Sequence, residues 1–404
     1  MNKTFKTISM ILIATLFIIP NVNLINAKEI SKSPEAKKIP HKTIIHNEKI
    51  IDNYFWMRDR ENNDIYDYLK SENEYTEKMM KSTEVFRNKL YEEIIGRMKQ
   101  TDLTVPYKFG EYYYYSRTEE GKQYRIYCRK KDCLDAMEEI LFDQNKMAEG
   151  HKYFDIGIIK ISPNHDLVAY SIDTTGSEIY TLYIKDLNTD TLLKDRIENI
   201  SSIEWANDNK TIFYIIPNEE RRPYRLYRHK ICSDIENDEL LYQEDDGKFW
   251  FWIAKTRNQK FLITGSASKT TSEERYLSAD NPDENFKLFA KRKQGIEYYI
   301  DNHDDYFYIR TNENAKNYKL MKVHIKNPSK KNWKEIIPGR KDVKIEDFDL
   351  FENYLVVYER ENGLQKIRII NVKTRDEHYV DFPEPVYSFW LGNNKEFKTD
   401  ILRF

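Results

Sequence analysis

The sequence predicts an all-β fold: a seven-bladed β-propeller with an incomplete seventh blade, preceded by an α-helical N-terminal arm. Three observations predict it. The hydrophobic period changes from about 3.6 to about 2 residues after Pro106. Short strands rich in Tyr, Ile, Val and Phe then recur at a near-constant spacing. Each recurrence repeats the same order of four strand-like segments, the pattern of a propeller blade.

Composition narrows the class before any motif is read. The 404 residues carry 65 basic and 67 acidic side chains, a net charge of -2. With no basic excess to neutralise phosphates, nucleic acid is excluded as a partner. The 30 Tyr and 20 Phe are more aromatic surface than a disordered chain carries, and they favour strands. A mean hydropathy of -0.78 excludes a polytopic membrane protein.

Residues 1–27 differ in kind from the rest. Lys3 and Lys6 precede an apolar run over residues 8–19, followed by a short polar stretch that ends at Ala27. This is the pattern of a secretory signal peptide cleaved after Ala27. The run is shorter than the roughly 20 residues of a spanning helix, so no membrane span is expected after cleavage, and the mature chain is expected to be exported, to the periplasm or beyond. Export would place Cys128, Cys133 and Cys232 in an oxidising compartment. The spacing of Cys128 and Cys133 leaves open a disulfide or a pair of metal ligands, but no His or second Cys pair lies nearby in sequence, and idle thiols are the expectation.

Residues 28–102 read as the arm. His41 and His46 fall in a strand-like stretch. Ile65, Leu69, Tyr75 and Met79 then mark one helical face, and Phe86, Leu90, Ile94 and Met98 another, so two amphipathic helices meet near residues 81–83.

Residues 103–404 read as the propeller. Taking Tyr112, Leu167, Ile212, Phe261, Tyr306 and Tyr354 as markers of the second strand in each unit gives steps of 55, 45, 49, 45 and 48. A first strand precedes each marker, as in Ile200-Ser-Ser-Ile-Glu-Trp205. A third follows, as in Tyr180-Thr-Leu-Tyr-Ile184, and a fourth closes the unit, as in Glu239-Leu-Leu-Tyr242. Six blades fit between about residues 103 and 383. A seventh is expected to begin with Val386-Tyr-Ser-Phe-Trp390, turn at Gly392-Asn-Asn394 and stop at Phe404 in its second strand. The alternative of two stacked β-sandwiches lacks a reason for the four-strand grouping.

Asp52-Asn-Tyr-Phe-Trp-Met-Arg-Asp59, Tyr68-Leu-Lys-Ser-Glu-Asn-Glu-Tyr75 and Leu90-Tyr-Glu-Glu-Ile-Ile-Gly-Arg-Met-Lys-Gln100 resemble the opening of the prolyl oligopeptidase family, in its oligopeptidase B (protease II) branch. Tyr180-Thr-Leu-Tyr-Ile-Lys-Asp-Leu187 and Thr399-Asp-Ile-Leu-Arg-Phe404 extend the resemblance along the chain. It implies a serine peptidase in which an arm and a seven-bladed propeller precede an α/β-hydrolase domain. The propeller then caps the active site so that only oligopeptides are cut, after Lys or Arg in this branch, and the arm packs on the hydrolase domain.

The catalytic part is where the chain departs from the family. A nucleophile elbow needs G-x-S-x-G on a strand-to-helix turn, whereas Gly265-Ser266-Ala267-Ser268-Lys269 has no closing Gly and precedes no helix. The resemblance implies that the family's catalytic Ser, Asp and His belong to a part that would follow Phe404. No catalytic, cofactor-binding or metal-binding residue is therefore expected, and no cofactor. The chain is expected to be a truncated product or one half of a split enzyme, inactive alone. It would meet an oligopeptide substrate only when joined to a hydrolase domain, supplied for instance as a separate chain. The rival expectation is a free-standing binding module. Asp245-Asp246 and Asp304-Asp305 read as turn carboxylates, Arg221-Arg222-Pro-Tyr-Arg225 as a solvated loop, and Phe249, Trp250, Phe251 and Trp252 as core and inter-blade packing.

Overall fold

The computed structural model describes residues 32–404, so the expected signal peptide lies outside the described residues. The chain divides into two compact units at Lys99/Gln100.

In the first unit, β1 (His41–Ile45) and β2 (Glu48–Asp52) pair as an antiparallel hairpin. His46 and Asn47 both take positive φ, of 50° and 65°, as a two-residue hairpin turn of the primed type requires. The His41 ring stacks on Phe55 at 3.7 Å. Helix α1 (Asn63–Met80) starts where the Asn62 side chain accepts the Asp64 amide at 3.0 Å, satisfying one of the donors a helix start leaves free. A single 3-10 turn over Lys81–Thr83 separates it from α2 (Glu84–Gly96), at the junction read from the sequence. No residue of either helix is buried; Leu69, Phe86, Ile94 and Met98 are all exposed.

The second unit holds six four-stranded antiparallel sheets. Blade 1 comprises β3 (Tyr107–Phe109), β4 (Tyr112–Arg117), β5 (Ile126–Lys131) and β6 (Glu138–Asp143), and is followed by the one-turn helix α3 (Gln144–Met147). Blade 2 comprises β7 (Asp155–Ile161), β8 (Leu167–Asp173), β9 (Tyr180–Asp186) and β10 (Thr191–Ile200). Blade 3 has β11 (Ser202–Trp205), β12 (Thr211–Pro217), β13 (Pro223–Lys230) and β14 (Glu239–Gln243). In blade 4, β15 (Trp250–Lys255), β16 (Phe261–Ala267), β17 (Ser272–Ser278) and β18 (Lys287–Leu288) follow. Blade 5 has β19 (Tyr298–His303), β20 (Tyr306–Thr311), β21 (Lys319–His324) and β22 (Lys334–Ile337). Blade 6 closes with β23 (Val343–Leu350), β24 (Tyr354–Glu361), β25 (Leu364–Asn371) and β26 (Glu377–Tyr379). Every repeat marker falls in a second strand, five of them on its first residue.

The aromatic excess is used between blades. Ala206, Phe213, Ile215 and Leu226 of blade 3 pack with Phe251, Ile253 and Leu262 of blade 4. Ile263 and Phe289 meet Tyr298, Phe307 and Ile309 across blades 4 and 5. Full burial of side chains this size is worth about 1.5–3 kcal/mol each, so each blade is stabilised chiefly by its neighbours.

The two strands that the sequence predicts for a seventh blade are not observed. The strands expected over 386–390 and beyond do not form, and no strand is assigned after β26. A strand needs a neighbour to take its amides and carbonyls, and two alone are marginal. Here the backbone groups of residues 380–404 turn elsewhere. Gly392 N donates to Arg403 O at 3.0 Å, and the Asn394 side chain brackets Arg403, donating to its carbonyl at 2.9 Å and accepting its amide at 2.8 Å. Phe382, Phe389 and Leu402 cover the Phe351, Val356, Tyr358 and Ile367 cluster of blade 6. The segment also reaches both ends of the ring: Glu352 N donates to Phe397 O at 2.8 Å, and Gly110 N donates to Glu396 Oε1 at 2.9 Å.

Candidate functional site

In a propeller the first strand of each blade faces the central channel. Residues of β3, β7, β11, β15, β19 and β23, joined by residues of β4, β5 and β6 in blade 1 and of β16 in blade 4, line two adjoining cavities, of about 440 Å3 and about 330 Å3, which share Lys255, Gln259 and Lys395. Along β15, Phe251 and Ile253 are buried, while the alternate residues Trp252 and Ala254 line the smaller cavity; Lys255, the last residue of the strand, lines both.

The wall from blades 2 to 4 is cationic. Lys160 Nζ donates to Glu204 Oε2 at 2.6 Å, tying β7 to β11. The Trp205 indole reinforces that seam by donating to the Lys160 carbonyl at 2.9 Å. Lys255 Nζ donates to the neutral Asn207 Oδ1 at 3.0 Å. Burial pushes the Lys255 ammonium down to about 8, with the Lys160 charge adding to the shift and the Glu204 carboxylate opposing it. Lys395, on the segment after β26, is pushed down too, by burial and then by Lys160.

Blades 5 and 6 supply the acidic wall. Asp301 accepts the Asn302 amide at 2.8 Å and is pushed up to about 7, first by burial and then by the Asp349 and Asp347 charges. Burial raises Asp347 as well. Arg257 spans blades 4 and 6 to reach Asp349, which also accepts the Tyr358 hydroxyl at 2.8 Å. Just behind this wall Glu274 is buried, with Oε2 on the Ile300 amide at 2.7 Å and Oε1 without a partner, and burial lifts its carboxyl well above the usual range.

This channel is suited to holding charged groups of an extended ligand. None of its charged residues was singled out in the sequence, because they lie on separate blades and belong to no contiguous motif. The weaker signal was their repeated place near the end of a first strand.

The residues that were singled out lie elsewhere. Ser266 sits inside β16, not after it; it is 1% exposed and lies beside Tyr242 and Glu244. A Cβ at Gly265 would fall 2.4 Å from the Trp252 indole, so this Gly serves close packing and not an elbow turn. Asp245 and Asp246 are exposed turn residues, the latter accepting the Lys248 amide at 3.0 Å. Asp304 is in the tight β19–β20 turn with φ 48°. Arg221 is not free: it donates to the Ser177 carbonyl of blade 2. Arg225 donates to Gln243 Oε1 at 2.6 Å. Phe249 and Phe251 are buried as expected, but Trp250 is 55% exposed, pointing away from the core that its neighbour Phe251 fills. Cys128, Cys133 and Cys232 are free thiols. Among the described residues, no His, Cys, Asp and Glu group is arranged to hold a metal, and no helix is long and apolar enough to cross a membrane.

The sequence profile of the family described as "Prolyl oligopeptidase, N-terminal beta-propeller domain" matches residues 34–404. The chain belongs to this family. Among curated prolyl oligopeptidase relatives it is 33% identical to Protease 2 of Moraxella lacunata, over 91% of this chain and 54% of that protein. It is 34% identical to Dipeptidyl aminopeptidase BI of Pseudoxanthomonas mexicana, over 93% and 54%. The chain thus spans about half the length of the curated relatives it matches. Oligopeptidase B from Leishmania major superposes with a TM-score of 0.84 at 27% identity, covering 92% of this chain and 56% of that one. Oligopeptidase B from Trypanosoma brucei, solved in a closed form with covalently bound antipain, has the same TM-score at 26% identity.

Proposed function

We propose that this chain is the non-catalytic, gating portion of an exported oligopeptidase B-like serine peptidase that cleaves oligopeptides after Lys or Arg, and that it works with an α/β-hydrolase domain carried beyond it or on a separate chain. The observation that carries the reading is the match to Protease 2 over nine-tenths of this chain but only about half of that protein. The channel fits a gate: its walls carry charge of both signs from five different blades, and cavities of about 440 and 330 Å3 have room for part of a peptide and not for a folded domain. The apolar faces of α1 and α2, exposed at Leu69, Phe86 and Ile94, would cover the hydrolase domain. The preference for Lys and Arg rests on the motifs shared with the oligopeptidase B branch.

The test is to join this chain to the hydrolase part of Moraxella lacunata Protease 2 and assay an Arg-containing oligopeptide beside the same sequence displayed in a folded protein. Cleavage of the free peptide alone supports the reading. Equal cleavage of both, or none of either from a folded fusion, contradicts it.

A second reading, a free-standing binding module, is favoured by one observation: the segment after β26 contacts blade 6 through Phe397 and blade 1 through Glu396, so this segment ties the last blade to the first. A cooperative, monomeric melt of the purified protein would support it, and aggregation with uptake of hydrophobic dye would oppose it.

A further inference from the structure

Three ammonium groups meet in the larger cavity: Lys160 from β7, Lys255 from β15 and Lys395 from the segment after β26. The cavity offers them one carboxylate, Glu204, and Lys160 already engages it at 2.6 Å. Lys255 has only the neutral Asn207 oxygen at 3.0 Å. Among the described residues, none supplies a hydrogen bond or ion pair to the Lys395 ammonium. Lys255, half-buried, and Lys395, exposed, therefore face the same space with no carboxylate among the described residues in hydrogen-bond contact with either ammonium.

We propose that Lys255 and Lys395, with Lys160 beside them, form a cradle for the carboxylate of an oligopeptide. This rests on the gating role proposed above and adds which part of the substrate the channel holds. A carboxylate entering between the two ammoniums offsets both charges and makes charge-assisted hydrogen bonds. Tyr107, Phe109 and Ile159, each half-buried, line the same cavity and give the adjoining peptide an apolar surface. Across the channel stand Asp301, Asp347 and Asp349. With Asp349 paired to Arg257, Asp301 and Asp347 are the carboxylates of that wall left to meet a cationic side chain, so a peptide with such a side chain and a free carboxylate would be held in one orientation, its carboxylate toward blades 2 to 4.

The test measures binding to the purified chain by fluorescence anisotropy, using labelled peptides of one Arg-containing sequence. One ends in a free carboxylate, one in an amide, and one in an amide with an internal Glu. The free acid is expected to bind about tenfold tighter than the amide, and Lys395→Ala and Lys255→Met are each expected to erase the difference. Lys395 lies outside every sheet, so its variant should keep the far-UV spectrum, and Lys395→Gln serves if it does not. A gain from the internal Glu extends the cradle to side-chain carboxylates, and no gain confines it to the terminus. Equal affinity for acid and amide, no binding of either, or displacement by inorganic phosphate as effective as by the peptide acid overturns the proposal. Because the assay needs no hydrolysis, equal binding together with peptide-selective cleavage by the fusion defeats the cradle alone. Indiscriminate cleavage by the fusion defeats the gating role.

Discussion

His229 Nε2 lies 2.8 Å from Asp195 Oδ1, and this contact staples blade 3 to blade 2 in an environment from which both side chains are fully excluded from solvent. The other ring nitrogen meets Asp238 Oδ1 at 2.7 Å. Asp195 also accepts the Cys232 amide at 2.6 Å, and Asp238 the Tyr214 hydroxyl at 2.9 Å. Burial alone would push the imidazole down, but the two carboxylates more than reverse it and raise His229 to about 9. Asp195 is held below the usual carboxylate range: burial opposes this, and the His229 and Cys232 hydrogen bonds overcome it.

The sign of the pH dependence follows. The His229 contribution is complete below its unfolded value of about 6.5 and is lost as pH rises through about 9. The Asp195 contribution is present above its unfolded value of about 3.9 and is lost as pH falls through the lower folded value. His229→Gln, which leaves two buried carboxylates without a cation, should cost about 3–5 kcal/mol. Thermal melts of both proteins from about pH 3 to about pH 10 should show the difference widest between the two unfolded values and shrinking at either extreme.

Gly265→Ala should destabilise blade 4 by about 1–3 kcal/mol through overpacking against Trp252. Urea unfolding should show a lower midpoint at unchanged slope. An unaltered midpoint would mean that the indole moves aside freely.

The three thiols should react unequally. Cys133 and Cys232 are exposed, whereas Cys128 is 1% exposed and burial pushes it up to about 12. An aromatic disulfide reagent at neutral pH should label Cys133 and Cys232 in the native protein, and all three only after unfolding. Mass spectrometry of the labelled peptides assigns the sites.

Export would leave a mature protein beginning at Lys28. N-terminal sequencing of the protein recovered from outside the cytoplasm checks this, and retention of Met1 through Ala27 would contradict it.

The fold was legible because blade packing imposes period and order on one strand at a time. Tyr112, Leu167, Phe261, Tyr306 and Tyr354 each open a second strand, where the chain leaves a turn and enters the sheet. The helix junction at residues 81–83 was legible for the same reason, as a break in local periodicity. The missing strands after Tyr379 were not, since Val386-Tyr-Ser-Phe-Trp390 has strand composition and lacks only a partner, which no local pattern records. The channel was hidden by distance. Lys160, Glu204, Lys255 and Asp301 look like ordinary polar positions one by one, and they become a site only when the ring brings their strands side by side.

Hydrolysis of an Arg-containing fluorogenic oligopeptide by the purified chain alone, with organophosphonate labelling in parallel, tests the division of labour most directly. The account predicts no turnover and no labelled serine, Ser266 included. Turnover that copurifies with a single labelled serine of this chain, and that disappears when that serine is replaced by Ala, would contradict it.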